Sequence, residues 1–243
     1  PFPFSMHVDL LHYWFENTPL QGLEIDIRVV PPPLMAQAIA AGEIDAFCVG
    51  EPWGSVTVDA GSGALLLPGK AIWSFAPEKV LAVRSDWVDT EPHLLGRLMR
   101  AVFKAGRWLS LPESRTAAAT LLSRKEYLDV PSELIDRAFS GRLTISAQGE
   151  QRQVDGFLEF NRGAANFPWR SQAKWIGNRL ASRAGLDADK SMQIAASVFR
   201  SDLYRQELQT TTSDLPGASE KLEGSLVHET AVASQTGRLI LHP

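Results

Sequence analysis

The sequence predicts an α/β fold, and three observations carry that reading. Ile44–Val49 and Ala64–Leu67 are short apolar runs of strand length. Glu24–Val30 alternates charged and apolar residues, the period-two pattern of a strand with one buried face. Between and after these runs stand segments with apolar residues at helical spacing, opened by Pro or closed by Gly.

The chain is organised around Ile44–Trp53. Ile44 to Val49 reads as a strand covered on both faces in a parallel sheet, ending at Gly50 and passing into a polar turn. Ligands of open α/β sheets sit beyond the carboxyl ends of strands, and Gly50 stands at such an end without a Cβ to block a close approach to its N–H. The plainer reading is that Gly50 only permits a tight strand-to-helix turn.

The 243 residues, 44% hydrophobic and 21% charged, suffice for one large or two modest domains with real cores. With a net charge of −4 and no basic stripe, nucleic acid is not an expected partner. The one cysteine, Cys48, lies in the apolar run and reads as a small buried hydrophobe. No apolar run has the length of a membrane span. The chain opens on Pro1 almost directly before a helix, so its start reads as cut, and a leader cannot be judged.

Taken in order, Ser5 is placed to cap a helix from Met6 to Phe15, with Met6, Leu10, Leu11 and Trp14 on one face. His7 then falls in the first turn, where free N–H groups and the helix dipole favour an anion; it is equally readable as a first-turn surface residue. Pro31-Pro32-Pro33 ends the strand Glu24–Val30 and starts a helix with Leu34, Met35, Ala38 and Ile39 inward, closed by Gly42. Glu24–Val49 is thus a strand–helix–strand unit, which implies a right-handed parallel crossover. Trp53–Ala60 reads as a short helix. A loop ending in Pro77 leads to a further strand through Val83, and Lys79 stands at its mouth, as a site cation or a solvated edge charge.

From Pro92 the chain turns helical: Pro92–Ser110, Pro112–Arg124, Pro131–Phe139, a helix opened by Asn166–Ser171, and Lys190–Tyr204 with a break. Gly141–Gly156 reads as a polar loop. Gln209–Pro243, rich in Thr, Ser and Gly, is expected to wrap the surface or to be partly mobile. Three stretches follow: 1–84, an α/β lobe with the candidate anion-site loops; 85–208, mainly helical; and 209–243, an extended C-terminal tail.

Zinc spacing, a Walker loop, a dinucleotide fingerprint and a G-x-S-x-G elbow are all missing from the sequence, so no metal, cofactor or catalytic set is expected. Glu51 and Glu78 are better read as salt-bridge partners of Lys79 or Arg84 than as an acid–base pair. The residues by themselves reach an α/β domain with a candidate anion site.

Phe4-Ser5-Met6-His7, Val29-Val30-Pro31-Pro32-Pro33, Phe47-Cys48-Val49-Gly50-Glu51-Pro52-Trp53 and Pro77-Glu78-Lys79-Val80 resemble, in matching order, the nitrate- and bicarbonate-binding proteins of ABC importers. The likeness continues through Ser123–Tyr127 and Asn166–Ser171. It implies an α/β, periplasmic-binding-protein-like (type II) two-lobed fold, with most of the N-terminal lobe absent from this chain. It implies no enzyme activity, and nitrate or nitrite as ligand, held by His7, Gly50 and Lys79, with Glu51, Trp53 and Glu78 behind them. The partners it implies are the membrane subunits of an ABC importer, with a periplasmic or membrane-associated location. The cytoplasmic nitrate sensors that control an RNA-binding antiterminator share the architecture and give the alternative. Sulfonate or bicarbonate receptors are the second alternative, and a pyrimidine-synthase enzyme of the same superfamily is a further rival.

Overall fold

The structure, a computed structural model, describes residues 1–16, 18–211, 215–224, 228 and 230–242. In chain order its elements are α1 (Met6–Phe15), a 3-10 turn at Pro32–Leu34, α2 (Met35–Ala40), α3 (Trp53–Asp59), α4 (Ser85–Thr90), α5 (Pro92–Leu109), α6 (Arg115–Leu122) and α7 (Ser132–Ser140). After these come β1 (Arg142–Thr144), β2 (Gln151–Gln153), α8 (Arg170–Ala184), α9 (Ala188–Val198), α10 (Ser201–Leu208), β3 (Thr230–Ala233) and β4 (Leu239–His242).

Apart from α4, to which the sequence reading assigned no helix, the helices fall close to where periodicity and Pro placed them, because their hydrogen bonds are local. The strands do not. Residues 24–30, 44–49, 64–67 and 80–83 belong to no helix and no ladder: among the described residues the ladders are only β1 with β2 and β3 with β4, both antiparallel. The expected parallel crossover therefore has its helix, α2, but no ladder. Alternation states which face of a strand wants burial; it cannot supply a neighbouring backbone. In consequence Ile25, Val29, Leu66 and Val80 are exposed, and Cys48 is half-buried rather than buried. On α5 the inward face is carried by Leu95 and Phe103, whereas Leu98 and Val102 face out.

The chain divides into two compact units. Pro1–Trp73 and Leu111–Leu158 form the first, Ser74–Ser110 and Glu159–Pro243 the second. These limits interleave, where the composition changes at 84 and 208 suggested consecutive stretches. In the first unit, Ala119, Val130, Leu134 and Ile135 make a core on which Trp53, Val56, Leu122 and Phe139 pack. Each such aliphatic side chain contributes roughly 1.5–3 kcal/mol by leaving water. Gly141–Gly156 is not a plain loop here: it holds the β1–β2 hairpin, and Leu65 N–H donates to Ile145 O at 2.8 Å beside it.

In the second unit α8 and α9 form a helical hairpin. Asp187 caps α9 by accepting from Lys190 N–H at 2.7 Å. A Cβ at Gly177 would stand 2.8 Å from Ala195 Cβ and 2.9 Å from Ser191 O, so only glycine lets the two helices approach this closely. Described residues of the C-terminal stretch enter the core of this unit. Val232 is buried with Ala164, Phe167 and Trp169, and Tyr204 and Ile240 pack against them.

Candidate functional site

His7 and Gly50 belong to the first unit and Lys79 to the second. His7 is half-buried in the first turn of α1, as its place after Ser5 foretold. Ser5 occupies the N-cap position with extended backbone (φ −88°, ψ 152°), but its buried hydroxyl makes no capping bond. The expected side-chain cap is therefore missing, and the helix start keeps N–H groups that Ser5 does not satisfy.

Gly50 is exposed at the end of the run 44–49. Its φ is not positive, and among the described residues, its two chain neighbours aside, no atom lies within 4 Å of where a Cβ would stand. Neither turn geometry nor packing thus requires glycine at this position. A turn follows at once: the Glu51–Pro52 peptide is cis, and Trp53 N–H donates to Gly50 O at 3.4 Å.

Glu51 turns back onto the helix that follows it. Its carboxylate accepts from Ser55 N–H at 3.0 Å, capping α3, whose N-cap residue Pro52 has no side chain for that task. A negative group at a helix start is favoured by the helix dipole. Burial raises the Glu51 pKa above the ordinary 4.5, against the opposing pull of the Ser55 bonds and of Arg137. Gly54 makes this fold-back possible, since a Cβ there would meet Glu51 Oε1 at 2.7 Å. The Trp53 ring packs on the core formed by α6 and α7. Glu51 and Trp53 therefore fix the backbone that presents Gly50.

Lys79 Nζ sits 2.6 Å from Glu78 Oε2, with the lysine side chain 84% exposed. This is the Glu78 salt bridge the sequence suggested. An exposed pair of this kind contributes about 0–1 kcal/mol, so exchanging the carboxylate for another anion costs little. Arg137, which sequence reasoning did not single out, lies 4.0 Å from Asp59 Oδ1 and acts on Glu51 through space. No local pattern marks it, because its relation to both carboxylates arises only when α7 packs against α3. Among the described residues no cluster of His, Cys, Asp and Glu could hold a metal ion.

Comparison with known proteins places this geometry in context. A profile described as the NMT1-like family matches residues 1–123. The chain is 33% identical over 207 residues to the nitrate import ATP-binding protein NrtC of Synechocystis sp., covering 83% of this chain and 30% of that protein. It is 28% identical over 226 residues to the nitrate/nitrite binding protein NrtA of the same organism, covering 90% of this chain and 51% of NrtA. The bicarbonate-binding protein CmpA of Synechococcus elongatus is 26% identical over 234 residues, covering 90% of this chain and 52% of CmpA. The crystal structure of the periplasmic nitrate-binding protein NrtA from Synechocystis superposes with a TM-score of 0.85 at 26% identity, covering 98% of this chain and 61% of that one. The chain thus spans about half the length of NrtA and CmpA and a smaller share of NrtC. With a structural likeness this close and a family profile that takes in His7, Gly50 and Lys79, the chain belongs to the NMT1-like family and has the mixed α/β fold of a periplasmic binding protein.

Proposed function

We propose that this chain binds nitrate or nitrite, without catalysis, as the receptor component of an ABC-type importer on the outer side of the cytoplasmic membrane. The observation that carries the reading is Gly50. The fold itself has no need of glycine there, yet the residue ends the run 44–49 and precedes a braced turn. A ligand that must reach the Gly50 N–H supplies the missing reason. The relatives named for nitrate support the same ligand. CmpA, named for bicarbonate, is nearly as similar, so overall identity does not choose between the anions. His7 and Lys79 favour nitrate or nitrite, since the resemblance implies that bicarbonate-binding members replace both.

Nitrate is a flat monoanion and a weak hydrogen-bond acceptor. A lysine point charge, an imidazole donor and one backbone N–H match its charge without demanding several desolvated partners. The proposed partners are importer membrane and ATP-binding subunits, a link supported by the likeness to NrtC. Among the described residues no helix is long and apolar enough to cross a membrane.

Titration calorimetry with nitrate, nitrite, bicarbonate and sulfate tests the assignment. Nitrate and nitrite are expected to bind in preference to the other two; a bicarbonate preference, or no nitrate binding, rejects it. In the Lys79→Ala variant nitrate affinity is expected to fall about 10- to 100-fold, the loss of one charge-assisted contact. An unchanged dissociation constant would remove Lys79 from the site. His7→Ala is expected to weaken binding and to flatten its pH dependence between about pH 5 and 8.

A further inference from the structure

A second concavity lies entirely within the first unit, between α6, α7 and the β1–β2 hairpin, with a volume of about 580 Å³. Its chemistry is distinct from that of a monoanion site. Two carboxylates, Glu133 and Asp136, and two guanidinium groups, Arg137 and Arg142, line it together. Hydroxyl groups, among them Ser132 and Thr144, fill most of the remaining wall, and the single hydrocarbon side chain is Ala119.

These charges do not neutralise one another. Among the described residues the side chains of Glu133, Asp136 and Arg142 form no ion pair or hydrogen bond, and the ion pair of Arg137 is the long one to Asp59 at 4.0 Å. Glu133 and Arg137 stand four residues apart on α7, the spacing at which an acid and a base usually meet on a helix. Here they stay apart. The Ser132 and Thr144 hydroxyls likewise have no protein partner among the described residues.

The lining narrows the ligand class. With no aromatic ring and one purely hydrocarbon side chain among its lining residues, the cavity has no stacking platform for a nucleobase and no hydrocarbon trough for an acyl chain. Two positive and two negative groups cancel, so neither a polyanion nor a polyamine is matched. What the arrangement complements is a molecule carrying both charges close together, with polar atoms to engage the hydroxyls. Asp136 and Arg137 are adjacent on α7, and Arg142 begins β1 just beyond the helix end. Opposite charges are therefore offered within about one helical turn, the separation suited to the ammonium and carboxylate of a single small molecule.

We propose that this cavity binds a free α-amino acid. Its carboxylate meets the Arg142 and Arg137 guanidinium groups, and its ammonium meets Asp136. The cavity is lined by none of His7, Gly50 and Lys79, and the proposal does not depend on nitrate being the ligand of those residues.

Thermal denaturation of the chain with a panel of the standard amino acids, each at millimolar concentration, is the test, followed by calorimetry on any that stabilise it. Acetate and methylammonium, each carrying half of the zwitterion's charge, serve as controls. At least one amino acid is expected to raise the melting temperature while neither control does so. Arg142→Gln and Asp136→Asn are each expected to weaken that binding tenfold or more, with the melting temperature of the free protein unchanged, since neither side chain has a protein partner to lose. The proposal is overturned if no amino acid stabilises the wild-type chain, if the controls do so equally, or if both variants bind as the wild type does.

Discussion

At Gly50 the fold and the proposed ligand make separable demands. Among the described residues nothing occupies the space a Cβ would take, so Gly50→Ala is expected to leave stability within about 0.5 kcal/mol of the wild type. Nitrate affinity is expected to fall if the proposed site is right, because the methyl group would stand where that site brings the ion to the N–H. Chemical denaturation and calorimetry on the same variant read the two effects apart; a loss of stability with unchanged affinity would make Gly50 a turn residue only. Glu51, one position on, has a structural task with a pH signature. Burial holds its folded pKa above the ordinary 4.5, so the fold favours the protonated form. Its contribution to stability is therefore complete below pH 4.5 and is lost as pH rises through the raised folded value. A glutamine keeps an oxygen to accept from Ser55 N–H and does not ionise. The stability of Glu51→Gln relative to wild type is expected to rise with pH from 4.5 towards neutrality, as measured by denaturant midpoints at several pH values; a difference that falls with pH contradicts the assignment.

Among the elements, the stretch after α10 departs furthest from its composition. Residues 215–224 look like a polar tail, yet they are fastened to the second unit through side chains. Arg205, on α10, donates from Nε to Pro216 O at 2.8 Å and from Nη2 to Ala218 O at 2.6 Å, with its guanidinium 4.8 Å above the Phe167 ring centre. Lys221 and Glu223 form an ion pair at 2.8 Å with side chains only 4% and 7% exposed. The Ser171 hydroxyl donates to the second Glu223 oxygen at 2.7 Å and accepts from Lys221 N–H at 3.0 Å. Every strong contact of that carboxylate is thus met inside the protein, and Lys221 also lies 5.8 Å from the Trp169 ring centre. A buried pair of this kind is asymmetric: removing one partner strands the other charge, whereas removing both does not. Lys221→Met is expected to destabilise the chain by about 3–5 kcal/mol, and Lys221→Met with Glu223→Leu to recover most of that loss. Equal destabilisation in the single and double variants would show that packing, not the stranded carboxylate, sets the cost.

Over the whole molecule, what the sequence could express was decided by the range of the interaction. The helices of both units were legible because Pro31–Pro33, Pro92, Pro112, Pro131 and the Asn166–Ser171 motif act within a few residues of themselves. The partnership of Arg205 with residues 216–219, the burial of Lys221 and the approach of Arg137 to Asp59 were not legible, since each joins segments with no local pattern in common. The candidate site divides in the same way: Gly50 at the end of its run and His7 in a first helical turn could be read locally, while the capping role of Glu51 needed coordinates. The strands fall between these cases. Glu24–Val30 carries the alternation of a strand, yet it joins no ladder, with Ile25 and Val29 exposed and Ile27 half-buried. A strand is nevertheless a relation between two backbones, and among the described residues none is backbone-hydrogen-bonded to this one. Its amide groups should therefore face water, whereas those of α8 are bonded within the helix and pressed against α9. Hydrogen-exchange mass spectrometry of this chain is expected to show peptides covering 24–30 exchanging at close to the unprotected rate and peptides covering 170–184 strongly slowed. Protection of 24–30 equal to that of α8 would mean that a ladder forms in solution, and this run would then have to be counted with the sheet its sequence predicts.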